Sequence, residues 1–222
     1  MAVRQRPTAA DSHIDLPVIR ADRARLDQLE LVPFRVAISM QVDSIMTGHL
    51  NVPALEPDPD TPATLSHNIL TNLLRNQLGY QGLIVTDAMD MGGITVRYAP
   101  GEAAVRAVAA GADCLLMPPV PDAAFEALRA AAKSGSISKE RLDASVRRIL
   151  HAKARLGLNT SRLVDVNAIN QKFASAAWQK ELSGCRSMEQ SHHGRCCWLF
   201  TLIPNRIQEK ILSANCVRDS TR

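Results

Sequence analysis

The sequence predicts an α/β fold with a parallel sheet, and three observations carry that expectation. Short apolar runs near residues 44, 84 and 115 are each bounded by turn residues and each followed by a helical pattern. Repeated strand–helix units at a spacing of ~30 to 40 residues call for a parallel sheet with helices laid outside it. The central run, Leu83-Ile84-Val85-Thr86, is led in by Gly79 and Gly82 and stops abruptly on Asp87. A continuous apolar run of this kind is expected to be a strand buried on both faces. Three strands cannot close a barrel, which needs eight and typically ~250 residues, so the units form either a small open sheet or the end of a larger barrel.

Residues 1 to 20 lack a helical period, and Pro7, Asp11-Ser12 and Pro17 mark a loop that contains Asp11-Ser12-His13. From Asp22 to Met40 the apolar positions Leu26, Leu29, Val32, Phe34 and Val36 mostly follow a helical period, with Pro33 as a kink. Val42 to Thr47 reads as a strand that ends at Gly48-His49. Prolines 53, 57, 59 and 62 then make a long loop up to Thr64. The helix from Leu65 to Leu78 is opened by Thr64 or Ser66 as cap and closed by Gly79. After the Asp87 strand, Pro100 to Gly111 is an alanine-rich helix, and Ala112 to Met117 is a strand stopped by Pro118-Pro119. Asp122 to Lys133 forms the next helix. Ser138 opens the strongest one, with Leu142, Val146, Ile149, Leu150 and Ala154 on one face and Gly157 as its stop. Periodicity fades beyond Leu163, so residues 1–163 read as one folded part and 164–222 as a poorly specified tail, disordered or out of frame.

The composition, 46% hydrophobic and 22% charged with a net charge of +4, is that of an ordinary soluble domain. The basic excess is too small and scattered for nucleic acid. No apolar run approaches the ~20 residues of a membrane span. Met1 to Pro7 lacks the apolar segment of a secretory leader, which makes cytoplasmic the expected location. Of five cysteines, Cys114 lies in a strand and Cys185, Cys196, Cys197 and Cys216 fall in the tail. An odd count without a leader argues against a disulfide framework. Cys185, His192, His193, Cys196 and Cys197 lack the spacing of a zinc site, so no metal and no cofactor is expected.

Asp87 at a strand's C-terminal end stands where α/β folds mount reacting groups, although Asp is also a favoured helix cap. With Asp11-Ser12-His13 and His49 it supplies a carboxylate nucleophile and a separate proton donor, the constellation that cleaves a glycosidic bond with retention. Histidine's ordinary pKa of ~6.5 suits a proton shuttle, with Asp11 holding its other nitrogen. His49 reads equally as a substrate contact or as a structural hydrogen-bonder at the rim.

The motifs Ser44-Ile45-Met46-Thr47-Gly48-His49, Val52-Pro53-Ala54-Leu55, Pro62-Ala63-Thr64-Leu65-Ser66 and Gly82 to Met91 closely resemble the second half of the catalytic domain of family 3 glycoside hydrolases. Asp11-Ser12-His13 resembles the mobile loop of that family's bacterial β-N-acetylhexosaminidase branch. The resemblance runs from about residue 8 to 160. It implies a (β/α)8 TIM-type barrel of which this chain holds the last three or so βα units. It further implies Asp87 as nucleophile, His13 with Asp11 as acid/base dyad, and His49 and Met46 as residues lining the sugar site. The implied substrate is a glycan with terminal β-linked N-acetylglucosamine, as in muropeptides, cleaved without a metal. The chain departs from the family before Thr8, where a Lys-His-Phe-Pro-Gly-His segment that grips the sugar is absent. The expectation is therefore a truncated hydrolase, impaired or completed by a complementing barrel half or by self-association. The alternatives are a non-catalytic remnant that binds a partner, or phosphorylase or β-glucosidase chemistry.

Overall fold

The computed structural model describes residues 11–163 and 165–168. The chain divides into two compact units, residues 1–159 and 160–222. The tail's cysteine–histidine group and both tryptophans lie outside the described residues.

The first unit is an α/β arrangement on a three-stranded parallel sheet, ordered β1 (Ser44–Met46), β2 (Leu83–Ala88), β3 (Cys114–Leu116). β2 is central, pairing Ser44 with Leu83 and Met46 with Val85 on one side, and Val85 with Cys114 and Ala88 with Leu116 on the other. Between Val85 and Ala88 the β2–β3 register slips, so β2 spends one residue more than β3. The slip leaves Leu116 N–H facing a side chain, and it donates to Thr86 Oγ1 at 2.9 Å. Such a bulge re-aims the side chains beside it, here at the position of Asp87.

β2 is not buried on both faces. Ile84 and Thr86 are fully buried, whereas Leu83, Val85 and Asp87 are only half-buried. The helical core covers the face that carries Ile84, which packs with Leu70, Leu74, Ala103 and Ala107.

The helices before β2 are wider and more broken than their apolar period suggests. Asp22 caps α1 (Arg23–Arg25) by accepting from Arg25 N–H at 2.8 Å. A π-helical turn, Leu26–Glu30, follows, and α2 (Val32–Ser39) starts afresh with Pro33 in its first turn, where its missing N–H costs nothing. Ala63–Leu65 is a 3-10 turn, after which Ser66 Oγ accepts from Ile69 N–H at the mouth of a π-helical segment, Asn68–Gln77. Gly79, at φ 70°, lets the chain turn back into β2.

A short α3 (Gly92–Thr95) follows β2, then α4 (Pro100–Ala110), whose buried alanines allow close packing on the core. At Gly101 a Cβ would come within 2.9 Å of Ala127 Cβ in α5 (Pro121–Ser134). α6 (Lys139–Arg155) is capped by Ser138 as its sequence suggests. Only part of its apolar stripe is buried: Leu142 packs against Val108, Ala131 and Ile137, whereas Val146 and Leu150 are more than half exposed. Polar groups hold it as well: Ser145 Oγ donates to Asp113 Oδ1 at 2.5 Å and Arg148 Nη1 donates to the same oxygen at 3.0 Å. No helix among the described residues is long and apolar enough to cross a membrane.

Candidate functional site

The C-terminal ends of the strands carry the candidate residues. Asp87 stands next to last in β2, half-buried, and its Oδ1 accepts from Ala88 N–H at 2.8 Å. It caps no helix, since α3 begins at Gly92 with Met91 at its cap position and no side-chain cap bond. Among the described residues no donor reaches Oδ2, which remains available to a reacting partner.

His49 lies directly beneath, 1% exposed, with both ring nitrogens taken by protein. Nδ1 lies 2.9 Å from Thr64 Oγ1 and Nε2 lies 2.8 Å from the Ala88 carbonyl. For a neutral ring one proton pattern satisfies this set: Nε2–H donates to the carbonyl, Thr64 O–H donates to Nδ1, and Thr47 O–H donates to Thr64 at 2.9 Å. Burial pulls the His49 pKa below its ordinary value, against the opposing effects of the Ala88 carbonyl and of Asp87 and Asp90. A neutral imidazole is therefore pinned to the peptide that follows Asp87. Of the two readings of His49, the structural hydrogen-bonder matches this geometry, because neither ring nitrogen is left for a sugar. Met46 pairs with Val85 at the exposed end of β1, 60% accessible.

The Asp11-Ser12-His13 tripeptide forms a tight turn in which Ile14 and Asp15 N–H both donate to the Asp11 carbonyl at 3.0 Å. His13 Nδ1 is 2.8 Å from Asp11 Oδ1, and His13 N–H donates to that oxygen at 3.0 Å. These bonds, the backbone one first, hold the Asp11 carboxyl below its ordinary pKa. Both side chains are mostly solvent-exposed, which leaves His13 Nε2 outward.

The turn is fastened to the segment right after Asp87. Gly92 N–H donates to the His13 carbonyl at 3.1 Å, and Gly93 N–H donates to the Ser12 carbonyl at 3.0 Å. Only glycine fits at 92, where a Cβ would lie 2.6 Å from Ile14 C, 2.8 Å from His13 O, and nearer still to Ile14 O. Arg97 adds a side-chain anchor, its Nη1 donating to Asp15 Oδ1 at 2.6 Å. The fold thus brings Asp11, His13 and Asp87 to one rim.

Sequence reading overlooked the parts that do the fastening: Gly92, Gly93, Arg97, Asp15, and the Thr47–Thr64 relay. The glycine doublet so soon after Asp87 was the available signal for a close backbone approach. Among the described residues no group of three or more His, Cys, Asp or Glu is placed to hold a metal. A cavity of about 340 Å³, lined by Asp43, Gly82, Leu83, Arg148, His151 and Arg155, opens at the N-terminal ends of the strands. It is remote from the Asp87 rim.

The fold and the rim define an α/β protein that carries a carboxylate and a histidine–aspartate pair at the C-terminal ends of a parallel sheet. The chain belongs to glycoside hydrolase family 3, since residues 6–152 match the family's "glycosyl hydrolase family 3 N terminal domain". It is 36% identical over 180 residues to β-hexosaminidase A of Pseudoalteromonas piscicida, covering 72% of this chain and 30% of that protein. It is 39% identical over 136 residues to a β-N-acetylglucosaminidase/β-glucosidase of Cellulomonas fimi, covering 58% of this chain and 24% of the relative. Among solved structures, a family 3 β-N-acetylglucosaminidase from Paenibacillus superposes with a TM-score of 0.68 at 48% identity, covering 72% of this chain and 31% of that one. The chain thus spans about a third or less of the length of these relatives.

Proposed function

We infer that this chain carries the reacting groups of a retaining β-N-acetylhexosaminidase, acting on glycans with terminal β-linked N-acetylglucosamine. One observation supports this above the others: the His13–Asp11 pair sits on a turn hydrogen-bonded to the residues that follow Asp87. Asp87 Oδ2 attacks the anomeric carbon while His13 Nε2–H protonates the departing glycosidic oxygen, giving a glycosyl ester on Asp87. The neutral imidazole then takes a proton from water. The water oxygen bonds to the anomeric carbon and Asp87 leaves as carboxylate. Asp11 stabilises the imidazolium through Nδ1. Met46 is the rim residue open to a sugar, and His49 acts from beneath by fixing the Ala88 peptide.

The three strands are read as the last βα units of a (β/α)8 barrel. Among the described residues β1 and β3 each have a free outer edge, and Met46, Leu116 and Met117 are exposed beside them. Open edges and bare apolar side chains favour pairing with further strands, so a complementing half or a second copy is the expected partner. A chromogenic β-N-acetylglucosaminide tests the reading. Turnover by the purified chain, abolished in Asp87→Asn, is expected; a folded sample with no turnover, alone or with the preceding barrel half of a relative, refutes it. Phosphorolysis is the second reading, favoured by the likeness to a β-glucoside phosphorylase with a TM-score of 0.70 at 26% identity. Release of sugar phosphate strictly dependent on added phosphate distinguishes it.

A further inference from the structure

We propose that Arg97 is a positioning residue for the acid/base dyad, clamping the Asp11–Leu16 turn through Asp15. The proposal rests on the hydrolase reading for its consequence in the reaction, but its geometry stands apart from turnover. His13 and Asp11 are 73% and 60% exposed, so no packing fixes the imidazole, and its place is set by what holds the turn's backbone. Three anchors do so. Two are the Gly92 and Gly93 amides; the third is the Arg97–Asp15 pair, 82 residues apart in sequence.

The geometry of the third anchor is that of a clamp. Asp15 Oδ1 receives Arg97 Nη1 at 2.6 Å and also the Leu16 amide at 2.7 Å, so the carboxylate is oriented from both sides at the point where the turn rejoins the chain. Arg97 is itself held, its Nε 3.5 Å from Asp60 Oδ1. Asp60 is fixed in turn, with its amide on Asp58 Oδ1 at 3.1 Å and its carbonyl receiving Tyr98 O–H at 3.0 Å. One guanidinium therefore joins the dyad turn, the proline-rich loop and the end of α3. Arg97 is one-quarter exposed and flanked by two carboxylates, while the dyad lies at the other end of the same turn. A planar fork can serve both carboxylates at once, which an ammonium does less well.

An exposed pair of this kind biases the turn's position by about three- to tenfold rather than creating it. Amide exchange on the full chain reads that bias directly. In Arg97→Gln and in Asp15→Asn, protection at the Gly92 and Gly93 amides is expected to fall about three- to tenfold, while Ile84, bonded to Asp113 inside the core, is unchanged. Arg97→Lys is expected to restore part of the protection, which a mere loss of folding would not. In the reaction, a displaced proton donor harms poor leaving groups most. kcat/KM of Arg97→Gln should therefore fall about three- to tenfold for a weakly acidic phenol leaving group and hardly at all for a strongly acidic one. Wild-type exchange rates at Gly92 and Gly93 in Arg97→Gln, or a loss of kcat/KM indifferent to the leaving group, overturns the proposal. The exchange arm needs no turnover, so a chain that hydrolyses nothing refutes the hydrolase reading alone.

Discussion

Replacing Asp113 by asparagine should cost more stability than any exposed charge in the molecule. Asp113 precedes β3, and its side chain is fully buried. Its Oδ2 accepts from Arg75 Nη2 at 2.5 Å and from Ile84 N–H at 3.0 Å, and its Oδ1 accepts from Ser145 Oγ at 2.5 Å and Arg148 Nη1 at 3.0 Å. Arg141 stands a further step away at 3.7 Å. Burial, with Arg148 nearby, pulls the pKa of Arg75 below its usual value, and Asp113 leads the groups that oppose it, ahead of Tyr80. Asparagine preserves the shape, yet it removes the one charge that balances three guanidiniums and turns an amide donor toward another donor. Losing two charge-assisted bonds at ~1.5 to 3 kcal/mol each agrees with the ~3 to 5 kcal/mol typical of breaking a buried ion pair. Against a total of ~5 to 15 kcal/mol that is a large fraction. At an m-value of ~2 kcal/mol/M the urea midpoint should drop by about 2 M. Circular dichroism during urea titration measures it, with Asp143→Asn as control because the Lys139–Asp143 pair is exposed and should shift the midpoint by less than ~0.5 M. Equal shifts for the two variants would refute the claim that the buried ion pairing at Asp113 helps to seat α6.

Three further expectations follow from the rim and the core. Gly92→Ala should displace the dyad turn at a cost in stability, because the added methyl meets backbone at 2.6 and 2.8 Å, where no side chain can swing aside. Loss of Gly93 amide protection with a lowered melting temperature is the expected signature, and retained protection would contradict it. His49 has a folded pKa lowered by burial, so the unfolded chain binds the proton more readily; its stabilisation is complete above the unfolded value of ~6.5 and fades as pH falls from there toward the lowered folded value. The unfolding free energy of the native chain, read from urea titrations, should fall between pH 7.5 and 5.5 with a slope of at most ~1.4 kcal/mol per unit from this group, and His49→Gln should flatten that slope. Tyr80 is pushed up to about 12 by burial. In Tyr98→Phe, which leaves it the only tyrosine, ultraviolet titration should find no phenolate near the ordinary value of ~10.

The strands were legible because a short apolar run between turn residues is a local signal, and their parallel pairing followed from the spacing alone. The place of Asp87 at the end of β2 was legible from the same signal, and the loop holding Asp11 and His13 from its turn residues. What covers a strand face is not local, so β2 was expected to be buried on both sides when only the face that carries Ile84 is fully buried. The same holds for α6: its apolar period is genuine and partly buried, but that Ser145 and Arg148 reach a carboxylate more than thirty residues away is not written locally. Nor could the sequence foresee the slip between Val85 and Ala88, since it depends on β3 and on a hydroxyl able to answer Leu116 N–H. His49 was open to two readings because an imidazole's role is decided by who meets each nitrogen, and Thr64 and Ala88 lie 15 and 39 residues distant.

The two sides of the rim are held by separate devices, and that separation bears on how the site works. From beneath, Thr47, Thr64 and His49 form a buried relay that ends on the Ala88 carbonyl, with no water-exposed member to loosen it. From outside, the dyad turn hangs on two amides and one exposed ion pair, each a weak tie on its own. A nucleophile must meet the anomeric carbon in a fixed line, and a rigid strand end satisfies that need. A proton donor must serve first the leaving oxygen and then water, and a turn on weak anchors can shift between the two without disturbing the sheet. Because the anchors and the relay share no side chain, substitutions at Arg97 and at Thr64 should act independently; under the proposed hydrolase reading the first acts on proton delivery and the second on the placement of Asp87.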